Sequence, residues 1–436
     1  MKPLRIALLG IGTVGGGTYE VLTRNAHEIA RRAGRPIEVV AVAARDEAKA
    51  RRVVPTIIPV SADFQAVVSS GEVDVVVEVM GGIEPARSLI LSAIANGKHI
   101  VTANKALLAQ HGDEIFTAAR ERDVIVAFEA AVAGGIPIIK ALREGLVANR
   151  IGWIAGIING TTNFILSEMR ARGLPFAAVL EEAQKKGYAE ADPTFDIEGI
   201  DAGHKLAILA SLAFGIPLSF DRAYVEGITQ IEALDIRYAE AMGYRIKLLG
   251  IARRRPEGIE LRVHPTLIPA RRLIANVEGV MNAVLVKGDA AGPTLYYGAG
   301  AGAHATASAI IADLVDVARL IDADPSHRVP YLAYQHDRLG SEPVLPIDEV
   351  ESSYYLRMRV DDRPGVLADI TRVLADNEIS IDAMVQKEPA EGEAQTDIIL
   401  LTHETIEKCV RAAIATIEGQ PTTRGPIVSL RLENLA

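Results

Sequence analysis

Apolar and polar residues alternate along the first third of the chain in the rhythm of strands and helices. A run of apolar residues at 4–9 predicts a buried strand, residues 18–33 have the periodicity of a helix, and residues 37–43 predict a second strand. The rhythm continues with strands predicted at 73–80, 99–102 and 124–128 and helices predicted at 87–96 and 105–121. Strands that alternate with helices in this way predict an α/β fold, a doubly wound parallel sheet of the Rossmann type.

A glycine-rich turn joins the first predicted strand to the first predicted helix. It has the pattern G-x-G-x-x-G at Gly10, Gly12 and Gly15, with Thr13 and Val14 before the last glycine. The first glycine permits the tight turn, the second lets the backbone approach a pyrophosphate, and the third lets helix and strand pack closely. We therefore expect these five residues to bind a dinucleotide, whose phosphates meet the positive end of the helix dipole.

The end of the second predicted strand bears on which dinucleotide is bound. An Asp or Glu usually holds the ribose 2′-hydroxyl of NAD at this point, but this chain has Arg45. Because a guanidinium group could pair with a 2′-phosphate, we expect NADP(H) to be preferred, with NAD(H) still possible because Asp46 could reach a ribose. The basic residues that follow, Lys49, Arg51 and Arg52, could equally be a solvated helix face.

The pattern changes after residue 148 and divides the rest of the chain. Strand-like and helical stretches mix over 149–302, which predicts a second α/β domain that binds the substrate. Helical sequence at about 303–325 is expected to return to the first domain, 1–148. Residues 326–353, which contain several prolines, predict a linker. The order βαββαβ over 354–436 predicts a ferredoxin-like domain.

Composition and charge narrow the class of protein. The 436 residues are 49% hydrophobic with a net charge of −10, which predicts a globular chain and argues against a nucleic-acid partner. No apolar stretch is long enough to span a bilayer, so we expect no membrane association. The single cysteine, Cys409, argues against a disulfide framework and favours a reducing cytoplasm. The nine histidines have no metal-binding spacing.

Lys105 is the first candidate for chemistry outside the glycine turn. It begins a predicted helix directly after a predicted strand, and ligands of an open α/β sheet collect at this edge. A lysine in the first turn of a helix opposes the helix dipole, which makes a purely structural explanation less favourable. We expect Lys105 to reach the cofactor or the substrate.

A second lysine lies among carboxylates. Lys205 follows Asp201 by four residues on a predicted helix that is otherwise apolar, and Glu190 and Asp196 lie just upstream, in a run that Gly187 opens. A lysine at a dry helix end among carboxylates could be a tuned proton donor, and the carboxylates would suit the ammonium group of a small substrate. The alternative is an ordinary surface ion pair between residues four apart.

Two further stretches are less specific. Residues 129–137 form a predicted strand end and glycine turn whose carbonyl groups could hold a monovalent cation, although most such turns hold nothing. Residues 158–163 are polar between apolar segments, and they could simply be a turn with a helix cap.

Taken together, these motifs resemble bacterial homoserine dehydrogenase, in its monofunctional form, and the tail resembles the ACT regulatory domain of that family. The residues that carry the resemblance lie at 10–15, 102–105, 129–137, 159–163, 187–193, 201–206 and 362–365. The resemblance implies reversible NAD(P)H-dependent reduction of L-aspartate 4-semialdehyde to L-homoserine, on the route to threonine and methionine.

The resemblance also implies roles for residues in this reaction. Lys205 would be the proton donor, Lys105 would contact the cofactor and could reach the substrate, and Glu190 and Asp201 would bind the substrate. Hydride transfer to the aldehyde carbon creates an alkoxide, which an ammonium group within hydrogen-bonding distance can stabilise and protonate. We also expect Gly300, in a late glycine-rich turn, to contact the cofactor.

A cation and an effector follow from the same resemblance. The monovalent cation, sodium or potassium, would be held at Glu129, Val132, Gly134 and Ile136. L-Threonine is the expected effector, bound where the first strand of the tail meets its first helix, near Asp362, Gly365, Val366 and Asn377. The chain is expected to be a homodimer or homotetramer.

Two other classes of protein remain open from the residues. A different Rossmann dehydrogenase, acting through a thioester, would need a cysteine near the nicotinamide, and Cys409 lies in the tail. A non-catalytic regulatory protein that binds a dinucleotide and an amino acid would not need Lys205 among carboxylates.

Overall fold

The structure is a computed structural model, and it describes residues 2–386 and 393–435. Lys387, the predicted end of a tail strand, and Ala436 lie outside the described residues. Internal contacts group the chain into two units. Unit 1 consists of Met1–Gly160, Asp201–Ala223 and Met281–Glu342, and unit 2 of Thr161–Ile200, Tyr224–Val280 and Pro343–Ala436. The domain boundaries expected from the sequence stay a prediction.

The strands, in chain order, are β1 (Leu4–Leu9), β2 (Ile37–Ala43), β3 (Val60–Ser61), β4 (Val75–Glu78), β5 (His99–Thr102), β6 (Val126–Ala127), β7 (Ile151–Ile157), β8 (Tyr224–Val225), β9 (Tyr244–Arg254), β10 (Ile259–Pro269), β11 (Met281–Gly288), β12 (Gly292–Ala299), β13 (Glu351–Asp361), β14 (Ile381–Gln386), β15 (Gln395–Thr402), β16 (Thr405–Ile406) and β17 (Val428–Leu432).

The α-helices are α1 (Thr13–Arg24), α2 (Ala26–Ala33), α3 (Glu47–Arg51), α4 (Phe64–Ser69), α5 (Ala86–Ala95), α6 (Lys105–Glu121), α7 (Ile138–Lys140), α8 (Gly160–Arg172), α9 (Phe176–Lys185), α10 (Thr194–Ile197), α11 (Ile200–Phe214), α12 (Ala233–Ala241), α13 (Ala303–Leu320), α14 (Val366–Asp376) and α15 (Glu407–Glu418). No helix of the described ranges is long and apolar enough to cross a membrane.

Unit 1 is built on a parallel sheet with the strand order β3-β2-β1-β4-β5-β6. The chain starts at a central strand and winds outward in both directions, which confirms the predicted Rossmann-type sheet. Apolar side chains of β1, α1 and α13 form one buried core on this sheet. In the same unit β11 pairs with both β7 and β12 in antiparallel ladders. The carboxyl ends of the parallel strands form the edge where the predicted site residues of this unit collect.

The first helix differs from its prediction. The sequence predicts one helix over 18–33, whereas α1 begins at Thr13 and a break at Asn25 separates it from α2. The helix therefore starts within the glycine turn, directly after Gly12. This start is required if the turn is to place backbone N–H groups at a phosphate, because those groups belong to the first helical turn.

Unit 2 contains the strand order β9-β10-β17-β13-β15-β14. The four strands β13, β14, β15 and β17, with α14 and α15, give the predicted βαββαβ order. Apolar residues of β13, β15, α14 and α15 form one core. One feature was not predicted: β17, the last strand of the tail, also pairs in parallel with β10. The tail therefore contributes a strand that lies between β10 and β13 in one sheet.

The predicted linker at 326–353 is fixed to its surroundings at both ends. In unit 1 the hydroxyl groups of Tyr331 and Tyr334 donate hydrogen bonds to the carbonyls of Val124 and Ala213. In unit 2 the N–H of Leu345 donates to the carbonyl of Ile259 at 2.9 Å. Each part of the predicted linker is therefore held within its own unit.

Candidate active site

The glycine turn has no room for side chains at two of its three glycines. A Cβ on Gly15 would lie 2.1 Å from the carbonyl oxygen of Gly10, and a Cβ on Gly10 would lie 3.1 Å from the carbonyl oxygen of Val79. Gly10 also has a φ of +100°, which favours glycine. Gly12 has no atom within 4 Å of its Cβ position, so its backbone faces open space.

The first turn of α1 fits an anionic ligand. Gly12 is the N-cap of the helix and supplies no side-chain hydrogen bond, and the first turn contains no acidic residue. Gly12 and Thr13 are exposed and Val14 is partly exposed. The N–H groups of a helix start attract phosphate when no side chain caps them, so these residues fit the pyrophosphate of a dinucleotide.

Arg45 is exposed and directly follows the carboxyl end of β2 and Ala44. The neighbouring carboxylate is already engaged, because Oδ1 of Asp46 accepts a hydrogen bond from the N–H of Lys49 at 2.9 Å and caps α3. Asp46 is therefore held in a local structural contact, and Arg45 is the group at this strand end that has the charge to meet a phosphate.

Lys105, Asp201 and Lys205 come together in unit 1. The Nζ atom of Lys205 lies 2.6 Å from Oδ2 of Asp201 and 2.7 Å from the carbonyl oxygen of Ile158. Nζ of Lys105 lies 3.3 Å from Oδ1 of the same carboxylate. Asn159 donates a hydrogen bond to Oδ2 of Asp201 at 2.9 Å, so this residue of the polar run supports the carboxylate.

The burial of this cluster separates it from an ordinary surface ion pair. The side chain of Asp201 is 5% exposed and that of Lys205 12%. Burial alone would raise the pKa of Asp201, but the charges of Lys205 and Lys105 and the hydrogen bonds to the carboxylate lower this pKa to about 2. One ionised carboxylate therefore holds two ammonium groups at the same place.

The helix that carries Lys205 also presents a neutral histidine. Burial lowers the pKa of His204 to about 4, with Lys105 and Lys205 acting in the same direction and Asp201 in the opposite one. The Nε2 atom of His204 lies 3.3 Å from Nε2 of Gln110, and its ring packs on Phe220 at 4.1 Å between centroids. A neutral ring adds no third positive charge to the cluster.

The predicted cation turn packs against the predicted cofactor residue Gly300. A Cβ on Gly134 would lie 2.6 Å from the carbonyl oxygen of Gly300, and a Cβ on Gly300 would lie 2.0 Å from Nδ2 of Asn282. The two backbones therefore approach closely because Gly134 has no Cβ, and Gly300 has no room for a Cβ because the side chain of Asn282 packs on it. Val132 and Ile136 are buried in the same turn.

The carboxylate and the backbone N–H of Glu129 both make hydrogen bonds within unit 1. Its carboxylate oxygens accept hydrogen bonds at 2.9 Å from the N–H groups of Ile139 and Lys140, and burial raises its pKa. Its own N–H donates to Asp313 at 2.8 Å. Within residues 2–386 and 393–435, no group of three or more His, Cys, Asp or Glu residues could hold a metal ion, so a cation at this turn would depend on carbonyl oxygens.

Unit 2 contains the remaining predicted substrate residues. Gly187 has a φ of +73°, and Glu190 is exposed three residues further on. Oδ2 of Asp196 accepts a hydrogen bond from the hydroxyl of Thr161 at 3.1 Å, and the same hydroxyl lies 2.7 Å from the carbonyl oxygen of Tyr188. Thr161 thus ties the two ends of the segment 187–196 together.

The predicted effector residues lie around the start and end of α14. Gly365 is the N-cap of this helix with a φ of +98°, and Asn377 is its C-cap. Val366 is buried and Asp362 is exposed. The glycine therefore makes the turn that the resemblance to an ACT domain leads one to expect.

Three site residues were missed from the sequence: Glu78, Thr102 as a hydrogen-bonding group, and Asn104 as the N-cap of α6. A signal for Glu78 exists, since a carboxylate ends the otherwise apolar strand Val75–Glu78. Buried parallel strands are continuous hydrophobic runs, so a glutamate there requires specific partners.

A cavity of about 630 Å³ lies in unit 1 beneath residues 325–339. Its walls include Phe116, Tyr331 and Asp313, and none of the predicted site residues lines it. The cavity is separate from the glycine turn and from the lysine cluster.

A dinucleotide turn and two lysines on one buried carboxylate in the same unit indicate an NAD(P)-dependent oxidoreductase of the Rossmann type. Sequence profiles narrow this class. Residues 137–315 match the profile of homoserine dehydrogenase, residues 10–129 match the profile of the homoserine dehydrogenase NAD-binding domain, and residues 354–419 match the ACT domain. The chain belongs to the homoserine dehydrogenase family, and it catalyses the NAD(P)H-dependent interconversion of L-aspartate 4-semialdehyde and L-homoserine.

Individual relatives agree with the profiles over the whole chain. A homoserine dehydrogenase of Pseudomonas aeruginosa is 60% identical over 435 residues, covering 100% of both chains. The crystal structure of a homoserine dehydrogenase from Thiobacillus denitrificans has a TM-score of 0.96 and 66% identity, covering 100% of this chain and 99% of that one. A hyperthermophilic archaeal homoserine dehydrogenase in complex with NADPH is 27% identical with a TM-score of 0.62, over 72% of this chain and 97% of that one.

Proposed function

We propose that Lys205 is the proton donor of this homoserine dehydrogenase. Two of its three ammonium hydrogens have acceptors in Asp201 and Ile158, which leaves one for the substrate oxygen. The bound nicotinamide cofactor supplies hydride to the aldehyde carbon. The ammonium group of Lys205 stabilises the alkoxide and gives it a proton.

Asp201 and Lys105 complete the reacting end of the site in this proposal. The ionised carboxylate of Asp201 keeps both ammonium groups close, and Lys105 adds a second positive charge where the oxyanion forms. The single observation that carries the proposal is this shared carboxylate, because a surface ion pair would not be buried with a second lysine on its other oxygen.

Substrate binding is assigned to the segment 187–196 together with Asp201. Glu190 is exposed and Asp196 is fixed by Thr161, so both carboxylates could meet the ammonium group of the amino acid substrate. Gly187 provides the turn that opens the segment. Glu190→Gln is expected to raise KM for the semialdehyde more than it lowers kcat.

The preferred cofactor in this proposal is NADP(H), with NAD(H) as the weaker alternative. The glycine turn at Gly10, Gly12, Thr13, Val14 and Gly15 would hold the pyrophosphate. At the adenosine end, the exposed guanidinium of Arg45 would pair with the 2′-phosphate.

The turn formed by Glu129, Val132, Gly134 and Ile136 is proposed to bind sodium or potassium through its carbonyl oxygens. Because Gly134 of this turn packs closely on Gly300, a bound cation would also order the backbone at Gly300, the predicted cofactor residue.

The proposed division of labour follows the sequence boundaries. Residues 1–148, completed by about 303–325, bind the cofactor, residues 149–302 bind the substrate, residues 326–353 connect, and residues 354–436 regulate. L-Threonine is the proposed effector at the start of α14. The active form is proposed to be a homodimer or homotetramer. We propose that it lies in the cytoplasm, because a chain with a single cysteine suits a reducing compartment.

Steady-state kinetics of Lys205→Ala test the proton donor. General acid catalysis is worth about 10²- to 10⁴-fold, so kcat should fall by that order while NADPH binding, measured by fluorescence, stays within about twofold. Lys185→Ala is the matched control, because Lys185 also pairs with a carboxylate four residues away but is exposed. Near-normal turnover of Lys205→Ala would assign proton donation elsewhere.

A further inference from the structure

Glu78 is a buried carboxylate with a complete set of partners at the edge of the sheet. It is 0% exposed, and its register partner in the parallel ladder is Thr102, at the end of β5. Its Oε1 accepts hydrogen bonds from the N–H groups of Met80 at 2.8 Å and Gly81 at 3.2 Å, and its Oε2 accepts one from the hydroxyl of Thr102 at 2.7 Å. A buried carboxylate is tolerated only with such partners.

The hydroxyl of Thr102 passes this contact on to the start of α6. Because a carboxylate only accepts, the hydroxyl donates to Glu78, and its oxygen accepts from the N–H of Asn104 at 3.0 Å. Asn104 caps α6 by accepting from the N–H of Leu107 at 3.1 Å. The next residue along the chain is Lys105, the first residue of the helix.

The same carboxylate holds the loop that touches the glycine turn. Val79 donates its N–H to Leu9 at 3.1 Å, and its carbonyl oxygen lies 3.1 Å from the Cβ position of Gly10. The amide of Asn104 donates to the carbonyl of Gly82 at 2.7 Å, which closes the loop from its other end. Residues 79–82 are therefore fastened to the residue before Lys105.

We propose that Glu78 is a positioning residue that sets the placement of Lys105 relative to the glycine turn. Every link from Glu78 to Asn104 is a hydrogen bond between buried or half-buried groups, and Asn104 is the residue bonded to Lys105. Loss of the carboxylate therefore lets the helix start and the loop shift independently. The inference rests on the role proposed above for Lys105. Glu78 itself lies behind the loop and does not touch the reacting atoms in this proposal.

A double-mutant cycle between Glu78→Gln and Lys105→Ala tests the link. Glutamine keeps the size, but it has only one acceptor oxygen, so it cannot accept both from the N–H groups of Met80 and Gly81 and from the hydroxyl of Thr102. Since small misplacements near the chemistry cost up to about 10²-fold, we expect Glu78→Gln to lower kcat at least about tenfold and to weaken NADPH binding, measured by its fluorescence. In the Lys105→Ala background the same change should alter kcat less than about twofold.

Three outcomes separate the possibilities. Multiplicative effects of the two changes would overturn the inference and leave the role of Lys105 intact. A Lys105→Ala enzyme with normal kcat and normal NADPH binding would remove the proposed role of Lys105, and the inference with it. If Glu78→Gln does not fold, Thr102→Val replaces it in the cycle, and Thr102→Ser should restore the activity that Thr102→Val loses.

Asp74 provides a matched control for stability. Its carboxylate precedes the other end of β4 and accepts hydrogen bonds from Arg5 at 2.8, 2.9 and 3.1 Å. Asp74→Asn should therefore weaken the same sheet. It should leave kcat and the NADPH Kd within about twofold, because it is remote from the carboxyl edge.

Discussion

The ammonium group of Lys205 lies 2.6 Å from Oδ2 of Asp201, one turn earlier on the same helix. The other oxygen of this carboxylate lies 3.3 Å from Nζ of Lys105. Because the pKa of Asp201 is about 2, the carboxylate stays ionised at every pH at which the enzyme would work. The site therefore keeps one negative charge between two positive ones.

Asp201→Asn tests this arrangement. The amide keeps the size of the side chain but leaves two ammonium groups without their shared counterion, so we expect kcat for aldehyde reduction to fall at least about tenfold. Steady-state assays of aldehyde reduction measure this loss.

The control for this change is Glu181→Gln. Glu181 pairs with Lys185 at 2.5 Å with the same spacing of four residues, but both side chains are more than half exposed. Exposed pairs contribute at most about 1 kcal/mol. An Asp201→Asn enzyme with the wild-type kcat would show that the buried carboxylate does not control the lysines.

The position of Arg45 leads us to expect a preference for NADPH over NADH. Removal of a guanidinium that pairs with the 2′-phosphate should cost NADPH binding but leave NADH, which lacks this phosphate, almost unaffected. We expect Arg45→Ala to lower kcat/KM for NADPH about tenfold and to change the value for NADH less than twofold. Arg52→Ala, at an exposed basic residue seven positions later, should change neither, and equal losses with both cofactors would contradict the prediction.

The sequence is sufficient to predict the helices and strands whose boundaries depend on neighbouring residues. The helix Lys105–Glu121 and the strand Ile37–Ala43 have the predicted bounds, because a cap residue or a change of periodicity marks each end. The start of α1 was placed five residues late, since Gly15, Gly16 and Gly17 are poor helix formers on intrinsic propensity. They are helical here because Gly15 and Gly17 let α1 approach Gly10 and Ala303.

Contacts between residues far apart in the chain could not be predicted from the sequence. The pairing of β17 with β10 joins residues more than 160 positions apart, and nothing in the apolar pattern of either strand names its neighbour. The glycine turn and the Asp201–Lys205 spacing could be predicted because their chemistry lies within a few residues. The second lysine on Asp201, and the link from Glu78 to Asn104, required the folded chain.

Because His99 is buried, we expect the free energy of unfolding to depend on pH. Burial lowers its pKa to about 4, below the usual 6.5, and its Nδ1 accepts a hydrogen bond from the N–H of Ile125 at 2.8 Å. A folded pKa below the unfolded one means that the unfolded state binds the proton first. The contribution is therefore fully present above pH 6.5 and is lost as pH falls towards 4, by up to about 3 kcal/mol.

Urea unfolding at pH 7.5 and pH 4.5 measures this loss. His99→Asn keeps an acceptor for the N–H of Ile125 but cannot titrate, so it should reduce the difference in unfolding free energy between the two pH values. The exposed His403 is the control, and His403→Asn should leave the difference unchanged. A wild-type difference in His99→Asn would show that the ring is not buried in its neutral form.

An ion pair of Glu433 connects the end of the tail to β10. Glu433 pairs with Arg262 of β10, which is fully buried, and also lies 2.6 Å from Arg253. The arginine charges lower the pKa of Glu433, although burial alone would raise it. Loss of one partner of a buried pair costs about 3–5 kcal/mol.

Glu433→Gln should therefore lower the urea midpoint strongly. The exposed Glu393, which pairs with Arg359, is the control, and Glu393→Gln should cost less than about 1 kcal/mol. Deletion of the tail after residue 352 removes β17 and Glu433 together, so we expect the shortened chain to lose cooperative unfolding. A deletion therefore cannot distinguish an effector site from a structural role.

A point variant can make that distinction. Asp362 is exposed next to the turn at Gly365, so Asp362→Ala should leave folding and kcat unchanged but shift the threonine concentration for half inhibition upward. A hydrogen bond to a charged group is worth about 1.5–3 kcal/mol, which corresponds to a shift of about tenfold or more. The exposed Glu404 is the control, and threonine should inhibit the Glu404→Ala enzyme as it inhibits the wild type. Because the tail carries no proposed catalytic group, unchanged inhibition of Asp362→Ala together with competition between threonine and homoserine would place threonine in the active site.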